Sequence, residues 1–243
     1  MIIEKIKLHD DPNVILTAYI QTPSEEMKAT MIKPGMLILP GGGYQFCSDR
    51  EAEVIALCYL KEGYQCFILN YSLNEKSKYP QPLIDSEMAL RLIRKNKDKW
   101  YLDPGKIAVI GFSAGAHLAT MLATSGKERP NALIVGYPAY FPIPEINYDY
   151  PLPVVDELTP DTFIFHTYSD SFVPVRNALY LANGLDEHKI PFEIHVFRDG
   201  GHGLSLGNNL VLDEFEDPMI RHYARWFVLS VEWLNRVLSP FNQ

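Results

Sequence analysis

Gly111-Phe112-Ser113-Ala114-Gly115 sets a serine midway between two glycines. The apolar run Ile107-Ala108-Val109-Ile110 leads in, and Ala114, Ala116, Leu118, Ala119, Leu122 and Ala123 lead out. The pattern predicts a strand, a very sharp turn and a helix, with Ser113 on the turn. Side chains at positions 111 and 115 would collide with backbone drawn that close. The following helix offers free N–H groups and the positive end of a dipole. The chemistry open to such a serine is nucleophilic attack on a carbonyl. The pentad alone serves equally well as a plain strand-to-helix turn, so the rest of the chain has to supply its partners.

A serine hydroxyl is a poor nucleophile until a base takes its proton, and imidazole suits that role near neutral pH. Seven histidines are present. His9 falls in the first turn region, His166 and His195 within strands, and His188 and His222 on helices. His117 follows the pentad on its helix, where a packed, hydrogen-bonded place is expected. His202 alone sits in a glycine-flanked loop after the last strand, Asp199-Gly200-Gly201-His202-Gly203, and is the expected base. The base needs an acid to hold its tautomer and stabilise the imidazolium. Asp170, just after the strand ending at Thr167, gives the chain order Ser, Asp, His. Its competitors are Asp149, Asp156, Asp161 and Asp199, and an ordinary turn or cap residue would also suit its position. An anionic tetrahedral intermediate needs N–H donors. The amide of Ala114 is one expected donor. Gly41-Gly42-Gly43 supplies the other from Gly42 or Gly43, with the choice between them open.

Positioning these groups requires a particular order of elements. Residues 2–8 and 14–20 are two β-rich runs around the turn cluster Asp10-Asp11-Pro12-Asn13, which predicts an antiparallel hairpin at a sheet edge. A buried strand at 36–40 runs into the glycine tract. Helices are expected over 50–62, with Gly63 as its stop, and over 83–97. Strands are expected at 66–71, 106–111, 131–137, 162–167 and 192–197, and helices at about 114–125, 175–188 and 218–238. Residues 138–160 hold six prolines and many aromatics, and read as a loop or short lid over the site. Tyr44, Tyr140 and Phe141 are the expected pocket aromatics. After the hairpin, strands and helices alternate, which implies a mostly parallel sheet of about eight strands with helices on both faces. Ligands of such sheets bind beyond the C-terminal strand ends. The glycine tract, Ser113, Asp170 and His202 all follow strands, and so fall on one rim.

Composition fits this reading. Hydrophobic residues make up 47% of the 243 residues and charged residues 21%, as in a globular protein with a sizeable core. A single α/β domain over 1–243 is expected. Net charge is −8 with no basic tract, which argues against nucleic acid as a partner. No apolar run is long enough to span a bilayer, and no signal region is evident at the N-terminus, so a cytoplasmic location is the default. Three cysteines, Cys47, Cys58 and Cys66, lack metal spacing and argue against a disulfide framework. The aromatic C-terminal helix with Trp226 and Trp233 is expected in the core, and leaves room for a homo-oligomer.

Taken together, Pro40-Gly41-Gly42-Gly43-Tyr44, Tyr79-Pro80-Gln81-Pro82 with Asp85, Gly111 to Ala119, the Asp170 segment and His202-Gly203-Leu204-Ser205-Leu206 resemble the α/β-hydrolase superfamily. More narrowly, the chain is similar to its carbohydrate acetyl-esterase and xylan-esterase-like branch, related to hormone-sensitive-lipase-type esterases. The resemblance covers nearly the whole chain. Pro40 stands where many relatives have histidine, and Ala116 where many have glycine. The resemblance implies a serine carboxylesterase of small acyl esters, acetyl above all, on a carbohydrate, needing no metal or organic cofactor. An arylformamidase or a peptidase on the same scaffold is the alternative, although such peptidases usually carry an added gating domain. A non-catalytic small-molecule-binding protein is the reading from a different class.

Overall fold

The computed structural model describes residues 1–28, 31–143, 146, 150–209, 211 and 218–238. Eight strands form one sheet: β1 (Ile2–Lys7), β2 (Ile15–Ile20), β3 (Lys33–Leu39), β4 (Gln65–Asn70), β5 (Leu102–Phe112), β6 (Ala132–Gly136), β7 (Thr162–Thr167) and β8 (Phe192–Phe197). Their spatial order is β1-β2-β4-β3-β5-β6-β7-β8. The hairpin β1–β2 is antiparallel and β2 joins β4 antiparallel. Every pairing from β4 to β8 is parallel. Parallel neighbours need long crossover connections, usually helices, and all but the β6–β7 connection hold one among the described residues. The crossover helices are α1 (Glu53–Lys61), α2 (Gln81–Lys95), α3 (Ala114–Ser125) and α4 (Arg176–Glu187), followed by α5 (Pro218–Tyr223) and α6 (Trp226–Val237).

Strand alternation sorts the core into two layers. Leu37, Leu39, Val109, Leu133, Val135 and Ile164 face one side, with α2, α3 and α4. Met36, Ile38, Ala108, Ile110, Phe112, Phe163 and Phe165 face the other, with α1 and α6. All thirteen of those strand residues are fully buried. Each large apolar side chain so removed from water contributes about 1.5–3 kcal/mol before entropy is counted. Among the described residues no helix is long and apolar enough to cross a membrane.

Two expected helices break. Residues 50–62 divide into a 3-10 turn, Asp49–Glu51, and α1, with Ala52 off the helical path at φ −114°. The break turns Glu51 inward, and it is buried. Gly63 ends the segment as expected, at φ +93°. The C-terminal helix of 218–238 likewise divides at Ala224-Arg225. Tyr223 and Trp226 both pack on Phe165, with Trp226 stacked at 4.2 Å. Residues three apart lie only about 60° apart around a helix, so both rings keep the same face on Phe165 across the break.

Candidate active site

The nucleophile turn is built from backbone contacts. β5 carries the chain out at Phe112, and Ser113 takes a left-handed φ of +53° before α3 begins. Such a conformation costs a non-glycine residue about 1–3 kcal/mol. It is held by the Ser113 N–H donating to the Gly136 carbonyl at 3.0 Å, and by the Ser113 carbonyl accepting the His117 N–H at 3.1 Å. A Cβ on Gly111 would lie 2.1 Å from the Gly115 carbonyl oxygen, and one on Gly115 2.1 Å from that of Leu39. Both glycines are therefore required by close approach. Ala114 opens α3, so its N–H has no carbonyl one turn earlier to receive it.

Asp170 and His202 arrive on the loops after β7 and β8. The Ser113 hydroxyl stands 2.8 Å from His202 Nε2, and His202 Nδ1 stands 2.7 Å from Asp170 Oδ2. Asp170 Oδ1 accepts the backbone N–H groups of Phe172 at 3.0 Å and Val173 at 2.9 Å. A carboxylate with no donor of its own requires His202 to carry its proton on Nδ1, which leaves Nε2 free to accept from Ser113. The imidazole is wedged between Tyr137 and Phe172, at ring separations of 5.1 and 5.4 Å. The arrangement can move a proton from Ser113 to His202 while Asp170 holds the ring.

A cavity of about 230 Å³ opens on Ser113 and His202. Gly42 and Gly43 form one side. Ala139, Ile143, Ile146, Phe46 and Phe172 supply apolar wall, and Arg50, Gln45 and Glu51 supply polar wall. The Gly42 carbonyl turns away to accept the N–H groups of Gln45 and Phe46. The amides of Gly42 and Gly43 have no hydrogen-bond partner among the described residues, and both glycines border the cavity beside Ser113. Donors from this loop and from Ala114 can converge on one carbonyl oxygen.

The three pocket aromatics require correction, because none of them lines the cavity. Tyr44 is buried, with its hydroxyl 2.7 Å from His117 Nδ1 and its ring stacked on Tyr150 at 4.1 Å. Tyr140 is fully buried, its hydroxyl 2.7 Å from that of Thr120. Phe141 lies under the Arg176 guanidinium, 5.4 Å from its ring centre. The neighbours of these residues, Gly43 and Ala139, face the cavity instead. The Tyr44 and Tyr140 rings satisfy the layer beneath the cavity. Of the competing acids, Asp156 is bound by both terminal nitrogens of Arg129, at 2.5 and 2.8 Å, and its carboxyl is held at a pKa of about 2, chiefly by that bond. Asp149 lies outside the described residues, as do residues 144, 145, 147 and 148 of the proline-rich segment.

Four neighbours of the site were not apparent from sequence. Glu51 and Tyr137 stand behind His202 and share a hydrogen bond of 2.5 Å. His166, buried in β7, brings Nε2 within 3.6 Å of Asp170 while donating to the Val173 carbonyl at 2.8 Å. Burial pushes the His166 pKa down, which keeps that ring neutral beside the carboxylate. Phe172 could have been found, because it lies two residues beyond Asp170 on the same loop. Glu51 read as one more polar residue opening a helix.

The BD-FAE family model matches residues 20–137, and the Prolyl oligopeptidase family model matches 144–228. The first stretch holds the glycine tract and Ser113; the second holds Asp170 and His202. The fold and sequence are similar to MGS-M1, an α/β hydrolase enzyme from a Medee basin deep-sea metagenome library, at 50% identity over 98% of each chain and a TM-score of 0.94. An acetyl ester-xyloside bifunctional hydrolase from Caldicellulosiruptor lactoaceticus is 30% identical over 96% of each chain, with a TM-score of 0.78. Endo-1,4-beta-xylanase B of Butyrivibrio fibrisolvens is 35% identical in an alignment of 214 residues that covers 74% of this chain. The chain spans 33% of that relative's length. Sheet order, nucleophile turn and full-length likeness agree: this chain belongs to the α/β-hydrolase family, and its relatives lie in the esterase branch.

Proposed function

We propose that the chain is a serine carboxylesterase that removes small acyl groups, acetyl first among them, from a carbohydrate or similar alcohol. The observation that carries this reading is the relay from Ser113 through His202 to Asp170 at the edge of a small, largely apolar cavity. Ser113 Oγ attacks the ester carbonyl as its proton passes to His202 Nε2. The carbonyl electron pair moves onto oxygen, where the amides of Ala114 and of Gly42 or Gly43 receive it. The imidazolium, paired with Asp170, returns the proton to the departing alkoxide. Water then attacks the acyl carbonyl as its proton passes to His202, and His202 returns that proton to Ser113 Oγ as the acid leaves.

The small-acyl preference is supported by the cavity volume of about 230 Å³, which suits a short acyl group. The carbohydrate alcohol is supported by the acetyl ester-xyloside hydrolase and the xylanase among the relatives. A peptidase is the second reading, favoured by the Prolyl oligopeptidase match over 144–228.

The test compares acetate release from acetylated xylo-oligosaccharides with hydrolysis of formyl-kynurenine and of peptide amides. A series of p-nitrophenyl esters from acetyl to octanoyl runs beside it, and Ser113→Ala serves as the control. Fast acetate release, decline beyond short chains and an inert variant are expected. Full-rate hydrolysis by Ser113→Ala removes the nucleophile assignment. Preference for octanoyl esters removes the small-acyl claim, and faster peptide cleavage gives the second reading.

A further inference from the structure

A second carboxylate stands behind the relay. Glu51 is 3% exposed and borders the same cavity as Ser113 and His202. Its Oε2 accepts the Gly41 N–H at 2.7 Å, and its Oε1 accepts the Tyr137 hydroxyl at 2.5 Å. The Tyr137 oxygen accepts the Ser205 N–H at 3.1 Å, three residues past His202, and the Tyr137 ring meets the His202 ring edge-on. The Ser205 hydroxyl donates back to the Arg50 carbonyl, beside Glu51. Segments leaving β3, β6 and β8 are thus tied to one buried acid. Burial pushes the Glu51 carboxyl up, while Tyr137 and Gly41 pull it back by hydrogen bonding. Both carboxylate oxygens receive donors, which is the pattern of an ionised group.

The location is specific to the chemistry. A Cβ on Gly41 would lie 2.6 Å from Glu51 Oε2 and 3.0 Å from Ser113 Cβ. The Gly41 amide is therefore held directly beneath the nucleophile, and Gly42 and Gly43 follow it. The groups facing His202 are Asp170 after β7, with His166 behind it, Tyr137 after β6, Phe172, Ser113, and Arg50 with Glu51 from the 3-10 turn. Arg50 borders the cavity as an exposed cation, whereas Glu51 is the second buried anion beside the ring.

We propose that Glu51 is a positioning residue for ester hydrolysis: it sets the oxyanion loop through Gly41 and stabilises the His202 imidazolium through its buried charge. This inference rests on the esterase reading above. Glu51 takes no proton in the cycle. The Ser113 proton still goes to His202 Nε2 and leaves with the alcohol.

The test measures p-nitrophenyl acetate hydrolysis from pH 5 to 9 for wild type, Glu51→Gln, Glu51→Asp and Tyr137→Phe, with melting curves to verify folding and Ser113→Ala as control. Glu51→Gln is expected to lower kcat about tenfold or more with KM within about twofold, because oxyanion donors act mainly in the transition state. It is also expected to move the acid limb of kcat/KM to lower pH by about half a unit, since losing a nearby negative charge disfavours imidazolium. Glu51→Asp keeps the charge but is one methylene short, so kcat falls while the limb stays. A merely structural acid would lower the melting temperature and leave the limb in place for both variants. Unchanged kcat and an unmoved limb in folded Glu51→Gln overturn the proposal. If that variant does not fold, Tyr137→Phe decides: a drop in kcat at constant KM supports the proposal, and wild-type kcat overturns it. Full activity in Ser113→Ala removes the esterase reading itself, whereas an inert Ser113→Ala beside an unaltered Glu51→Gln removes this inference alone.

Discussion

Replacing Asp170 by asparagine tests the relay at its least forgiving point. Asp170 Oδ1 receives two backbone N–H groups, from Phe172 and Val173, and Oδ2 receives the His202 Nδ1–H. An asparagine in the same rotamer must keep its oxygen on the two backbone donors, because its NH₂ there would set hydrogens against hydrogens. The NH₂ then faces His202 Nδ1. That contact puts the imidazole lone pair on Nδ1 and the proton on Nε2, 2.8 Å from the Ser113 hydroxyl. Two donors now meet, and the serine proton has no acceptor. The expected loss in kcat is about ten-thousand-fold, or about 5.4 kcal/mol of barrier. The fold should lose only about 1 kcal/mol, because the loop keeps both backbone bonds and one charge-assisted bond becomes neutral. Initial rates on p-nitrophenyl acetate, with melting curves for both proteins, measure the two quantities separately. A folded Asp170→Asn within about tenfold of wild type would refute the tautomer argument and return Asp170 to the rank of a turn residue.

Three further outcomes are expected. Gly42→Ala should lower kcat about 10²–10³-fold, because its Cβ would lie 2.1 Å from the Phe46 carbonyl oxygen at a φ of +129° and the loop must shift; retained kcat would show that the loop amides do not serve the oxyanion. Ile143→Ala should enlarge the apolar wall and raise the butyrate-to-acetate ratio of kcat/KM about tenfold, and an unchanged ratio places the acyl group elsewhere in the cavity. His117 is buried between the Tyr44 hydroxyl and the Pro151 carbonyl, and burial pushes its pKa from 6.5 to about 4. As pH falls, the unfolded chain takes up this proton first. The contribution is therefore intact above pH 6.5 and declines by about 3 kcal/mol toward pH 4. Urea midpoints at pH 7.5 and 4.5 should fall more steeply for wild type than for His117→Gln; equal slopes contradict the assignment.

What could be read before the fold was known follows the range of the forces involved. The order of strands and helices was legible because burial on both faces makes strands such as Val109 to Phe112 continuously apolar, and because Gly111 and Gly115 mark a close backbone approach. Their chain neighbours located Ser113, Asp170 and His202, each directly after a strand. The aromatics were misplaced because an aromatic ring beside a site satisfies the core as readily as the cavity, and sequence does not say which way Tyr44 or Tyr140 turns. Glu51 was invisible for the opposite reason. Its side-chain partner Tyr137 is 86 positions away, and a carboxylate in a helix-opening segment looks like any other. The break of the last helix at Ala224-Arg225 left no mark in the sequence, because Tyr223 and Trp226, three positions apart, keep the periodicity of one helix.

The contact between Gly115 and the end of β3 bears on how such a site can change. A Cβ on Gly115 would strike the carbonyl oxygens of both Leu39 and Pro40, at 2.1 and 2.4 Å. The helix carrying the nucleophile and the loop carrying the oxyanion donors therefore meet main chain to main chain, with no side chain between them. Their spacing is inherited with the fold and cannot drift one substitution at a time. Ile143, Ile146, Phe46 and Phe172, by contrast, shape the cavity with side chains alone. A lineage built this way can exchange substrates by editing its walls while its reaction stays fixed, and new specificities are to be sought at those four positions.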